Sequence, residues 1–261
     1  MMLWLGWRHS KRHLTIEGAY LASKPVEHGR FQRAFRILKQ GFWLLFWGWI
    51  GLTIALVLTI KYLDPPSWSW RLQQQGLDAP PHTWVPLSDM SHSMQLAVIA
   101  AEDQTFATNN GFDIKAIIAA FEHNEHSQQI RGGSTITQQL AKNLFLWPAR
   151  SYFRKALGAW FTWWIDTLLP KTRVLELYLN IIQLGPHTYG VADAAAQYFS
   201  TSALMLNDYQ ASLLAAILPN PVVYKVQPPS AYVVRRSAWI RQQMRQLGPG
   251  VLQQVYDPAL D

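Results

Sequence analysis

The 261-residue chain has no cysteine, which excludes a disulfide framework and a cysteine-rich zinc site. It also lacks any convincing run of alternating apolar and polar residues and any internal repeat, so it reads as predominantly α. Acidic residues are scarce at the start. Residues 1–40 hold Arg8, Lys11, Arg12, Lys24, Arg30, Arg33, Arg36 and Lys39 against Glu17 and Glu27 alone, which is +6 of the formal +7. The remainder is close to neutral, and a nucleic-acid surface on it is not expected. A basic block before an apolar segment is a topology signal. At 49% hydrophobic residues the chain is not a disordered one.

Charge is absent altogether from residues 41–60, GFWLLFWGWIGLTIALVLTI. Twenty such residues are about what a helix needs to cross the hydrocarbon core of a bilayer. The stretch has no polar face, as a buried core helix would, and is too long, with too extended a basic region before it, for a cleaved signal peptide. Lys61, Asp64 and Pro65-Pro66 close it, and Trp43, Trp47, Trp49, Trp68 and Trp70 suit interfacial aromatic belts. We read one signal anchor at 41–61 with a cytoplasmic tail at 1–40. A Trp/Gln/Pro-rich connector at 62–84 and a working domain at 85–261 would lie on the far side of the membrane.

The domain becomes helical after Ser91, a candidate N-cap, with Met94, Ala97, Val98 and Ala101 on one face. Further helices are expected at 113–121, 134–145, 151–169, 171–184, 191–199, 208–218 and 231–247, punctuated by Pro148, Pro170, Pro186 and Pro221. Within them Trp160-Phe161-Thr162-Trp163-Trp164-Ile165 is either a buried helix or a face resting among lipid headgroups.

Two stretches carry candidate chemistry. In Ala97-Val-Ile-Ala-Ala-Glu-Asp-Gln-Thr-Phe106 an apolar helix ends at two carboxylates, Glu102 and Asp103. Apolar surroundings raise a carboxyl pKa and make it a proton acceptor near neutrality, although a solvated helix end would look the same. In Arg131-Gly-Gly-Ser-Thr-Ile-Thr-Gln-Gln-Leu-Ala-Lys-Asn143 a glycine turn delivers hydroxyls, amides and Lys142 to a helix N-terminus, where anions are favoured. Thr135 and Gln138 fit a capping box as well. Arg154-Lys155, Lys171 and Arg173 extend a row of cations that could hold a pyrophosphate.

The blocks EDQTFATNNGFD, RGGSTITQQLAKNLF, FRKALG, KTRVLELYLN and LPNP, in this order and spacing, resemble the signature of the family-51 peptidoglycan glycosyltransferases. The similarity covers roughly residues 85–247 and is strongest to the monofunctional biosynthetic transglycosylases of Gram-negative bacteria. No penicillin-binding transpeptidase segment is expected after it. The resemblance implies a mainly α, lysozyme-like domain with a membrane-associated lobe, preceded by one transmembrane helix. It would be periplasmic, on a single-pass protein of the bacterial inner membrane. The implied reaction polymerises lipid II into glycan strands, inverting the anomeric carbon and releasing undecaprenyl pyrophosphate. Glu102 would be the general base. Ser134, Thr135, Gln139, Lys142, Asn143, Arg154 and Lys155 would bind the sugar-pyrophosphate, with Asp103 and Phe106 shaping the base's surroundings. A divalent cation, magnesium or manganese, assists some relatives, but no dedicated metal cage is legible here. Implied partners are lipid II, the growing strand, the membrane and cell-division or elongation proteins, not nucleic acid.

The sequence also departs from the family pattern. A second glutamate usually follows Arg-Lys by three residues; here the position is Gly158. Asn109 replaces a histidine, and Gln183 and Gln210 replace glutamates. Three readings follow: an active glycosyltransferase in which the missing carboxylate is dispensable or is replaced by Asp166 or Glu125, a weakened relative that binds lipid II or acts as a scaffold, and a lysozyme-like glycan hydrolase.

Overall fold

The computed structural model describes residues 28–119, 133–148 and 151–257, with side chains from Phe31 onward. Ten helices of seven residues or more are named among them: α1 (His28–Tyr62), α2 (Ser69–Gln75), α3 (His92–Glu102), α4 (Ile136–Phe145), α5 (Tyr152–Leu168), α6 (Lys171–Ile181), α7 (Val191–Phe199), α8 (Asp208–Ile217), α9 (Ala231–Leu247) and α10 (Gly250–Tyr256). Residues 114–119 are also helical. The only β pairing among the described residues is an isolated bridge between Gln183 and Tyr189. The mainly α expectation therefore holds.

The chain divides into two units, one ending at Trp49 and one from Ile50 onward. In the first, α1 exposes Phe31, Phe35, Leu38, Leu44, Leu45 and Trp47, and its rings at 42, 43, 46 and 47 pack on one another. Phe31–Tyr62 is long and apolar enough to cross a membrane and is mostly unburied. The helix thus extends beyond the uncharged stretch, because nothing between residues 31 and 40 breaks it: Arg, Lys, Gln, Leu and Ala are all good helix formers.

In the second unit the core is built around α3 and α6. Met94, Ala97, Val98, Ile99 and Ala100 are all sealed, as are Val174, Leu175, Leu177, Tyr178, Leu179 and Ile181. Each large aliphatic side chain so buried contributes about 1.5–3 kcal/mol. α3 packs on α8 and α9, while α4 packs on α5 and α6. Ser91 caps α3 by accepting the Met94 amide at 3.1 Å, Ser151 caps α5 through the Arg154 amide, and Asn207 with Gln210 forms a capping box on α8.

The stretch from residue 62 to 84 is more structured than a connector. Trp68 and Arg71 of this region are buried, and α2 packs on α4, with Ser69 Oγ donating to the Leu146 carbonyl at 2.9 Å. α6 ends at Ile181 rather than near 184. Ile182 turns extended, and the chain folds back so that Leu184 and Gly190 donate to Thr188 and Ile182. The Trp160–Ile165 segment is buried on one side only. Phe161, Thr162 and Ile165 are buried, Trp163 is half exposed, and Tyr152 and Phe153 stand out at the start of the same helix.

Candidate functional site

The two carboxylates that end α3 both grip α4, at adjacent turns. Asp103 Oδ2 accepts the Ile136 amide at 3.0 Å, at the first residue of α4. Its two oxygens also take the Asn109 amide at 2.9 and 3.1 Å, and Thr105 Oγ1 donates at 3.2 Å. One turn into α4, Gln139 Nε2 donates to Glu102 Oε2 at 2.8 Å. The Glu-Asp dipeptide thus divides its labour: Asp103 fixes the frame, while Glu102 bonds Gln139, approaches Arg236 and keeps 15% of its side chain exposed.

The frame is continuous. Asn109 Oδ1 accepts the Gly111 amide, and Lys171 Nζ donates to the Asn109 carbonyl at 2.6 Å while pairing with Asp166 at 2.8 Å. Lys171 also lies 5.1 Å from the centre of the Phe106 ring, which is fully buried. Gly111 has φ +78°, and a Cβ there would come within 3.0 Å of the Asp166 side chain, so only glycine fits the turn. Gly133 is required for a different reason: a Cβ would meet the Ala116 carbonyl oxygen at 3.0 Å. This close passage of backbone explains what helix capping alone did not. Thr135 is buried, completes the capping box with Gln138 and donates to the Gly111 carbonyl at 2.7 Å.

Thr135, expected to bind the sugar-pyrophosphate, is therefore a framework residue, as are Asp103 and Phe106 beside the base. Asp103, Phe106 and Thr135 are buried and engaged internally, and they shape the cleft from beneath. Lys171 and Arg173 do not extend the cation row. Lys171 is held by Asp166 and Asn109, and Arg173 by Asp64, Glu176 and the Ile60 and Leu63 carbonyls. Charge pairing of this kind is invisible to residue spacing. Gln139, Lys142, Asn143 and Arg154 are partly accessible, and Ser134 and Lys155 are exposed. Arg131 and Gly132 lie outside the described residues.

Two contributors were not legible in the sequence. Tyr178, fully buried on α6, donates from its hydroxyl to Gln139 Oε1 at 2.9 Å. With the amide oxygen so held, the amide NH₂ must point to Glu102. Burial and the neighbouring carboxylates push the Tyr178 phenol well above its ordinary value, so it remains a donor throughout the working pH range. The second contributor is Arg236 of α9, whose Nη2 lies 3.6 Å from Glu102 Oε1. A polar hydroxyl on an otherwise apolar face of α6 was the one available signal for Tyr178.

Burial raises the Glu102 pKa above the ordinary carboxylate value. The Gln139 hydrogen bond and the charges of Arg236 and Lys142 oppose that rise, and Asp103 adds to it. Lys142 is shifted in the complementary direction. Burial and the like charge of Arg154 lower its pKa, while Glu102 raises it. Lys142 and Arg154 have no ion-pair partner among the described residues, and Arg154 donates from Nε to the Trp147 carbonyl. The base thus feels two cations, Arg236 and Lys142, and Lys142 in turn feels Arg154.

The departures from the family pattern acquire structural accounts. Asn109 ties Asp103 to Lys171, Gln183 receives the Trp70 indole at 3.1 Å and donates to the Gly185 carbonyl, and Gln210 closes a capping box. Gly158 has no such role. A Cβ there would touch only Leu146 Cδ1 at 3.4 Å. Asp166 does not replace a carboxylate at 158: it is ion-paired with Lys171, and eight residues on the same helix separate them by about 12 Å. Glu125 lies outside the described residues. For a divalent cation the donor set is poor, since no three acidic or histidine groups converge among the described residues, and Asp103 is saturated by internal donors.

A model of the transglycosylase family matches residues 71–245. Over 211 residues the chain is 52% identical to the biosynthetic peptidoglycan transglycosylase of Aeromonas hydrophila, an alignment covering 78% of this chain and 89% of that protein. The protein of the same name from Shewanella oneidensis is 50% identical over 214 residues, covering 79% and 92%. That from Stutzerimonas stutzeri is 48% identical over 222 residues, covering 82% and 89%. By the family match and these identities, the chain belongs to the transglycosylase family.

Proposed function

We propose that the chain is a peptidoglycan glycosyltransferase that polymerises lipid II, with Glu102 as its base. The observation that carries the reading is the Glu102 carboxylate, its pKa raised by burial, oriented by Gln139 and Tyr178 and acted on by Arg236 and by Lys142, which itself lies beside Arg154; Asp103, raised as well, is taken up by internal donors. Glu102 removes the proton of the acceptor 4-hydroxyl as that oxygen bonds to the donor's anomeric carbon. The bond from that carbon to the pyrophosphate oxygen breaks on the opposite face, inverting the centre. The electron pair leaves with undecaprenyl pyrophosphate, whose charge Lys142 and Arg154 stabilise. Ser134, Asn143 and Lys155, accessible on the same stretches as Gln139, Lys142 and Arg154, are the further sugar-pyrophosphate ligands of this reading.

The long apolar α1 and the exposed Tyr152, Phe153 and Trp163 support a membrane-anchored enzyme that draws a lipid-linked substrate from the bilayer. The basic residues before the span support a cytoplasmic N-terminus and a domain on the outer face of the inner membrane. Full-length protein in detergent, given lipid II, should produce glycan strands. Strand production without release of soluble fragments from finished murein separates this reading from a hydrolase. A hydrolase needs a second free carboxylate or substrate assistance, and Asp103 is fully engaged.

Gly158 favours one competing reading, a weakened relative that binds lipid II without turning it over. The site supplies a test in Gly158→Glu, because a Cβ at Gly158 meets only the flexible end of Leu146, at 3.4 Å. That substitution should stabilise α5 by about 1 kcal/mol, seen as a higher melting temperature, and leave turnover within the same order of magnitude. A steep gain in turnover would support the weakened reading.

The pH profile tests the arrangement around the base. The Gln139 hydrogen bond favours charged Glu102, so Gln139→Leu should raise the Glu102 pKa further. The acid limb of kcat/KM should move to higher pH, because the base must be deprotonated to act. Tyr178→Phe, which frees the Gln139 amide to turn, should move the limb in the same direction.

A further inference from the structure

α9 has two distinct sides. Val233, Ser237, Ile240 and Met244 are buried, and the helix packs on α3 and α8. Beside that face run Tyr232, Arg235, Arg236 and Trp239, spaced i, i+3, i+4, i+7 and therefore aligned along one stripe. These four residues line a cavity of about 270 Å³. Tyr232 is 38% and Trp239 44% exposed, an uncompensated cost for two large aromatic rings if nothing covers them.

The charge is equally unbalanced. α9 contains four arginines and no acidic residue. No ion pair to Arg235 is present among the described residues, and the one carboxylate near Arg236 is Glu102 at 3.6 Å. Arg236 Nε is buried without a hydrogen-bond partner. Its guanidinium lies 6.0 Å from the centre of the Trp239 ring, and Tyr232 is braced by stacking on Tyr224 at 4.7 Å.

Aromatic rings offer flat surfaces to sugar C–H faces and methyl groups, and guanidinium groups offer forked donors to carboxylates. A neutral sugar would leave the arginines unanswered, and a bare phosphate would leave the rings uncovered. A sugar bearing a carboxylate-terminated peptide satisfies both. We infer that the Tyr232–Arg235–Arg236–Trp239 stripe, beside Glu102, is a subsite for the peptide arm of a muramyl residue, read through its free carboxylate. The identity of the ligand rests on the proposed function; the chemistry of the stripe does not.

The test uses full-length protein in detergent and two soluble probes, N-acetylmuramyl-L-alanyl-D-glutamate and the analogue with its peptide carboxylates amidated, titrated by saturation-transfer NMR. Wild type should bind the acid about tenfold more tightly than the amide, the scale of one charge-assisted contact. Arg235→Gln should lose that preference, and Trp239→Ala should weaken both probes by about tenfold. Both side chains are exposed, and unchanged thermal melting confirms intact variants. Equal binding of acid and amide by wild type, or an unchanged preference in Arg235→Gln, overturns the subsite. A protein that fails to polymerise lipid II yet shows the Arg235-dependent preference overturns the glycosyltransferase reading and leaves the subsite standing.

Discussion

Glu102→Gln should lower lipid II polymerisation by about 10³-fold or more, the upper range for loss of a positioned general base, while leaving the melting temperature at or above that of wild type. The two outcomes share one cause. Burial makes the charged form of Glu102 costly, so its folded-state pKa is raised. A carboxyl with a raised pKa contributes stability below its unfolded pKa and loses that contribution as pH rises through the folded value. At neutral pH the native charge is therefore held against the fold's preference, and glutamine, of the same shape but uncharged, relieves it. Gln139 can still donate to the new carbonyl oxygen, so α3 and α4 stay in register. Loss of activity together with a large drop in melting temperature would instead place Glu102 among the framework residues. Polymerisation at the wild-type rate would remove Glu102 as the base.

Local signals were legible wherever one short stretch determines the outcome. Ser91 announced the start of α3 because an N-cap needs only a side-chain oxygen three residues from a free amide, and Asn207 and Ser230 cap α8 and α9 in the same way. α2 escaped notice because Ser69–Gln75 has no sustained apolar period and is stabilised by contacts to Leu146 and Gln183, far along the chain. The site followed the same rule. Glu102 and the Thr135 cap lie in compact blocks, whereas Tyr178 and Arg236 reach the base from α6 and α9. Lys171 and Arg173 looked like members of a substrate-binding row because spacing cannot separate a cation awaiting an anion from one already paired. The mostly helical, lysozyme-like domain was readable from pattern and resemblance. The division of its polar residues into frame and cleft came only from the hydrogen bonds.

Lys142→Met should reduce turnover by about 10²–10³-fold, the scale for removing one preorganised group from a developing oxyanion. Methionine preserves the length of the side chain and its packing on α4, so the lost element is the charge. Lys142 is held partly buried beside Arg154, an arrangement that lowers its pKa and leaves it without an ion-pair partner among the described residues. Two like charges kept close raise the free energy of the empty site, and a departing pyrophosphate relieves that repulsion as its negative charge grows. The substitution should therefore lower kcat more than it raises KM, because the interaction is strongest in the transition state. A second signature is independent of turnover at saturation. Lys142 helps to hold the Glu102 pKa down, so its removal should move the acid limb of the pH profile upward, in the same direction as Gln139→Leu. A rise in KM with unchanged kcat and an unmoved acid limb would assign Lys142 to ground-state binding alone, the behaviour expected of a lipid II binder rather than of a site that stabilises the leaving group.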